Sequence, residues 1–100
     1  MAAFFCKLVP PRATFTADMS PVEADAMRRH ARYWQDVIDR GVRVFALGLV
    51  MDPAGAFGII VIEAADESVV RALTVQDPVI TAVVGMRYEI HSMPRGVMHN

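Results

Sequence analysis

RVFALGLVMDPAGAFGIIVIEA, residues 43–64, decides the fold. Arg43 to Met51 and Ala56 to Ala64 are both rich in branched and aromatic residues, so each half reads as a strand. Between them, Asp52-Pro53-Ala54-Gly55 puts Asp, Pro and Gly where a type I turn needs them, and the second strand folds straight back. Both faces of this hairpin are apolar. Val44, Ala46 and Val50 alternate with Phe45, Leu47 and Leu49, while Ile59 and Val61 alternate with Ile60 and Ile62. An antiparallel sheet with one wet face alternates more cleanly, so both faces need cover.

Outward from the hairpin, the flanking segments supply the rest of a sheet and its helices. A helix precedes it, running from about Pro21 to Arg40 and stopped by Gly41. Ser20 caps its start, Pro21 suits the first helical position and Glu23 completes a capping box. Ala3 to Val9 is a first strand, ended by Pro10-Pro11. The loop from Pro10 to Met19 is long for a compact domain and is a candidate lid or binding loop. After the hairpin, Asp66 caps a short helix through about Val75. Asp77-Pro78 then opens a second brief helical segment, Val79 to Val84, which Gly85 ends. Met86 to Met93 is the last strand, with Met86, Tyr88 and Ile90 alternating against Arg87, Glu89 and His91.

The order is therefore β-α-β-β-α-β. It predicts an α+β, ferredoxin-like fold, a four-stranded antiparallel sheet with two main helices on one face. Residues 1–94 form a single domain, and residues 95–100 form a loose tail. Two helices cover only one face of such a sheet. The simplest cover for the other is a second copy, so the expectation is a homodimer packed through its sheet faces.

Composition excludes several partners. One hundred residues make one domain, large enough to bury a core without disulfides or metals. The chain is 54% hydrophobic and 21% charged, apolar enough for some of its surface to face another subunit. A net charge of −1 gives no electrostatic reason to expect nucleic acid or membrane as a partner. The longest apolar stretch, Ala56 to Ile62, is too short to span a bilayer. The N-terminus lacks the marks of a signal peptide, and Cys6, the only cysteine, reads as a small buried hydrophobe. These features point to a cytoplasmic setting.

Two polar residues stand out of pattern. In the first helix Met27, Ala31, Trp34 and Ile38 form an apolar face at helical spacing, and His30 and Val37 extend it. An imidazole on that stripe loses water and needs a partner. It is either a core histidine bonded to the backbone or a tuned acid/base. Asp77 likewise has two readings. It caps the segment that Pro78 opens, or it orients His30 across the helical layer. A carboxylate on one imidazole nitrogen fixes the tautomer and raises the basicity of the other, which suits a general acid/base.

The remaining candidates are weaker. Arg12, in the long loop, is either a plain surface arginine or an anchor for a substrate carboxylate. Phe15 either closes over a pocket or pins the loop to the body. Trp34, with strand residues such as Phe5 and Leu47, is a candidate pocket wall. Arg28, Arg29 and Arg32 interleave with Asp25, Asp36 and Asp39 and read as a solvated, ion-paired face. His91 and His99 read as solvated, and the histidines and Cys6 lack the spacing of a zinc site. No nucleotide, phosphate-binding or serine-hydrolase motif is present.

Arg29-His30, Tyr33-Trp34 and Arg40-Gly41 together resemble the YCII-related (YciI-like) family. Ala46-Leu47-Gly48, the Asp77-Pro78 step and Arg87-Tyr88-Glu89-Ile90 add to this. Pro10-Pro11-Arg12-Ala13-Thr14-Phe15 and Asp18-Met19 are similar to one branch of it. The resemblance spans Phe4 to Met93. It implies a dimeric α+β barrel and an active site made of a histidine and an aspartate, which fall on His30 and Asp77. It also implies elimination or isomerisation of small cyclic or aromatic breakdown products.

The expectation is thus a small enzyme of lyase or isomerase type. His30 moves a proton on a small cyclic or aromatic-derived, anionic metabolite, Asp77 holds His30, and no cofactor or metal is needed. A cofactor-free monooxygenase is a related option. The alternative from another class is a non-catalytic small-molecule-binding or interaction module whose His–Asp pair is structural.

Overall fold

A computed structural model describes residues 1–97. Its elements are β1 (Ala2–Val9), α1 (Phe15–Asp18), α2 (Pro21–Asp39), β2 (Arg43–Val50), β3 (Phe57–Ala64), α3 (Glu67–Val75), α4 (Pro78–Thr81) and β4 (Arg87–Ser92). The four strands form one antiparallel sheet in the order β2-β3-β1-β4. The fold is α+β and ferredoxin-like, as the order of elements predicts. His99 and the end of the tail, residues 98–100, lie outside the described residues.

Local chemistry sets the ends of the elements. Ser20 Oγ accepts the Glu23 N–H at 3.2 Å, and Glu23 Oε1 accepts the Ser20 N–H at 2.8 Å, so the capping box closes in both directions. Gly41, at φ +93°, turns the chain out of α2 in a conformation that favours glycine. The hairpin turn closes with the Gly55 N–H on the Asp52 carbonyl at 2.9 Å, and the Asp52 side chain accepts the Ala54 N–H.

Phe4, Cys6, Ile60, Ile62 and Ala64 point to the helical side and bury against Trp34 and Val37 of α2 and Val70 of α3. On the other face Phe5 pairs with Val61 and His91, and Lys7 pairs with Ile59 and Glu89. None of these six side chains is fully buried.

Three sequence expectations change. A β-bulge between Val44 and Ala46 shifts the phase of β2. Val44, Leu47 and Leu49 therefore oppose Ile62, Ile60 and Gly58 on the helical side, and Ala46 and Val50 turn to the open face. The long loop is not all loop: α1 forms there, held by a buried Phe15 and by backbone bonds to the Thr14 carbonyl. The buried line of α2 is Ala26, Trp34 and Val37, while Ala31 and Ile38 are exposed. The helix is rotated so that Trp34 faces the core and the Met27–Ala31 side borders an open cavity.

Candidate active site

Asp77 satisfies both of its sequence readings at once. As the N-cap of α4, its Oδ1 accepts the Val79 N–H at 3.0 Å. Its Oδ2 accepts three more bonds: from His30 Nδ1 at 2.7 Å, from Trp34 Nε1 at 2.7 Å, and from the Tyr88 hydroxyl. The side chain is fully buried. Burial pushes the carboxyl pKa up, but the bond and charge interaction with His30, then the bonds from Tyr88 and Val79, outweigh it. The net direction is down, so Asp77 is a carboxylate. Tyr88 moves the other way: burial, then the Asp77 charge, push its pKa far above the ordinary range and keep it an O–H donor.

An ionised carboxylate only accepts hydrogen bonds, so Nδ1 of His30 carries the hydrogen. In the neutral ring this leaves the lone pair on Nε2. That atom has no hydrogen-bond partner among the described residues, yet no buried side-chain nitrogen or oxygen there lacks one. Nε2 is therefore not sealed in the core, and His30 lines a cavity of about 310 Å³. The cavity lies between α2 and the sheet. Met27 and Ala31 form its roof, Leu47, Leu49 and Ile60 its floor, and Phe15 of α1 one side. Gly58 also lies on the floor, and a Cβ there would come within 3.2 Å of the Leu8 Cβ. Apart from His30 and Thr16, the lining side chains are apolar.

The structure brings His30 and Asp77 together across 47 residues of chain and sets Phe15 on the cavity wall. Leu47, the strand residue expected as a wall, lines the cavity too, whereas Trp34, Phe5 and Arg12 do not. Trp34 is fully buried behind His30 as a donor to Asp77, and Tyr33 packs edge-on against it at 5.4 Å. Phe5 lies on the opposite face of the sheet. Arg12 is already occupied. Its guanidinium makes a two-pronged contact with Glu23 at 2.8 Å on each prong, and its Nε meets Asp18 at 2.8 Å. The Arg12 bond, and then the Ser20 N–H, hold the Glu23 carboxyl down at about 2. Asp18 is also lowered, first by Thr14 and then by Arg12. Arg12 is a clamp between α1 and α2, and it does not line the cavity.

Arg28 and Arg29 pair with Asp25 on the surface of α2. His91 lies 3.8 Å from Glu89 and tilts against Phe5. Burial pushes the Cys6 thiol up to about 11, as for an inert core cysteine. Among the described residues no three potential ligands gather as a metal site.

Tyr88 is the member of the network that sequence reasoning missed. It alternates with Met86 and Ile90 on the apolar side of β4, where a phenol passes for a hydrophobe. The available signal was its hydroxyl, because a tyrosine among core positions needs a bonding partner.

Comparison with known protein families, curated proteins and solved structures found no match. What defines the chain is its own geometry: a ferredoxin-like domain in which a buried aspartate holds a part-buried histidine on the wall of an apolar cavity. No helix among the described residues is long and apolar enough to cross a membrane.

Proposed function

We propose that the protein is a small enzyme of lyase or isomerase type that moves a proton on a small cyclic or aromatic-derived ligand. The observation that carries this is the open lone pair of His30 Nε2, held at the wall of an apolar cavity by a carboxylate on the far nitrogen. Nε2 takes a proton from an acidic C–H of the ligand, and Asp77 stabilises the imidazolium that forms. The electron pair left on carbon moves onto an adjacent carbonyl or expels a leaving group from the next carbon. The imidazolium then returns its proton to another carbon in isomerisation, or to the leaving group in elimination. Apolar walls strengthen the charge interactions by excluding water.

The order and spacing of the motifs resembling the YCII-related family support this reading, as does the fold. The same proposal includes a homodimer. On the open sheet face, Phe5, Val61 and Ile59 form an apolar centre. It is bounded by the Arg43–Glu63 pair at 3.1 Å and by Arg87–Glu89, so the rim is already charge-balanced and suits self-association. The buried lone cysteine agrees with a reducing, cytoplasmic setting.

Hydrogen–deuterium exchange tests the chemistry. The protein is incubated in D2O with a panel of enolisable cyclic and aryl ketones and lactones, and loss of C–H signal is followed by NMR. Exchange that vanishes in His30→Gln is expected. Ligand binding with no His30-dependent exchange would instead favour a binding module. One observation speaks for that alternative: Asp77 also caps α4 and anchors Trp34 and Tyr88, which gives the pair a structural role without catalysis.

A further inference from the structure

We infer that the cavity selects an uncharged, largely apolar molecule that presents one acidic hydrogen, C–H or O–H, to His30 Nε2, and that it rejects anions of similar shape. This deepens the proposed function and rests on its placement of His30 at the cavity wall. An anionic ligand needs a cation, and apart from His30 itself no side chain of the lining can carry one. Arg12, the candidate anchor, is bound by two carboxylates, and that cluster carries one net negative charge beside the wall made by α1. Lys7 lies over the Phe57 ring on the open face of the sheet. Behind the imidazole stands the Asp77 carboxylate, a second negative charge one ring away from the ligand.

The hydrogen-bond chemistry points the same way. With the hydrogen on Nδ1, the neutral ring offers the cavity an acceptor. A carboxylate would set its own lone pairs against that nitrogen and lose its hydration among aliphatic walls. A ring hydroxyl on an otherwise apolar body satisfies Nε2 and leaves the rest of the molecule to Met27, Leu47 and Leu49. Thr16, the other polar group of the lining, both donates and accepts and demands no charge.

Three monosubstituted benzenes separate the contributions: phenol, toluene and benzoate. Each is titrated at pH 8, where an ordinary imidazole is neutral, against the full-length protein by calorimetry and by ¹⁵N NMR of the histidine rings. Phenol is expected to bind at least tenfold more tightly than benzoate and to shift the Nε2 resonance of His30, with toluene binding without that shift. Leu49→Arg puts a cation on the cavity lining at a side chain that is 58% exposed, so the fold tolerates it. It is expected to move the phenol-to-benzoate preference at least tenfold towards benzoate. Benzoate binding as tightly as phenol overturns the inference, as does an unchanged preference in Leu49→Arg. Failure of all three to bind overturns it together with the proposed ligand cavity. Phenol selected over benzoate, with no deuterium exchange on any substrate, upholds the inference and removes the enzyme reading alone.

Discussion

At the scale of residues, one oxygen organises the site. Asp77 Oδ2 is shared by His30, Trp34 and Tyr88, so removing any partner disturbs the others. Tyr88→Phe deletes one charge-assisted bond and is expected to lower stability by about 1.5–3 kcal/mol, measured by urea denaturation. Asp77→Asn sets an amide among three donors and is expected to cost more, about 3 kcal/mol. His30 was legible in the sequence because it is polar on an apolar stripe, and Asp77 because the Asp-Pro step marks a helix start whose carboxylate could also reach His30. Tyr88 was not, because a phenol keeps the alternation of β4. Its meeting with Asp77 depends on α4 and the turn after it, which no local pattern specifies. Arg12 shows the opposite limit. Its charge was plain, but Asp18 and Glu23, which neutralise it, come close only once α1 and α2 have folded.

At the scale of elements, α1 is held over the cavity by the Arg12 clamp, and the clamp depends on pH. Glu23 drops from an ordinary value of 4.5 to about 2 in the folded chain, and Asp18 is lowered as well. Groups with depressed folded pKa values stabilise above their unfolded values and lose that contribution as pH falls through the folded ones. The clamp should therefore be intact at neutral pH and weaken between about pH 4.5 and 2. The amide shifts of Phe15 to Asp18 are expected to move towards random-coil values over that window. Arg12→Met should produce the same change at pH 7, and unchanged shifts there would show that Phe15 alone holds the helix. The turn after α4 is a second test. Val83 sits at φ 54° with 88% of its surface exposed, a poor conformation for a branched side chain. Val83→Gly is expected to raise stability by about 1 kcal/mol. Gly85→Ala should lower it, since Gly85 has φ +84° and a Cβ there would lie 2.9 Å from the Pro11 Cβ. The bulge in β2 was invisible beforehand because apolar residues fill both faces of that strand, so a slipped phase left no mark on the pattern.

At the scale of the whole molecule, strand order and helix order followed from the turn at Asp52–Gly55 and from the caps at Ser20 and Asp66. Each is a local signal that also agrees with the global fold. The doubly apolar hairpin is explained in part by the cavity, which leaves Leu47 and Leu49 on the helical side uncovered. The proposed dimer would cover the open face with a second copy. Sedimentation velocity is expected to show a dimer, and Val61→Lys, at the centre of that face, is expected to give a folded monomer. A monomeric wild-type chain would remove the sheet-to-sheet partner and leave the cavity argument standing.

The most direct measurement is the tautomer of His30, read from long-range ¹H–¹⁵N correlations of the imidazole rings at pH 8. The geometry requires the hydrogen of a neutral ring to sit on Nδ1, leaving Nε2 bare, and that pattern is expected in the wild-type protein and lost in Asp77→Asn. A wild-type ring with its hydrogen on Nε2, or one indifferent to Asp77→Asn, would contradict the site at its root.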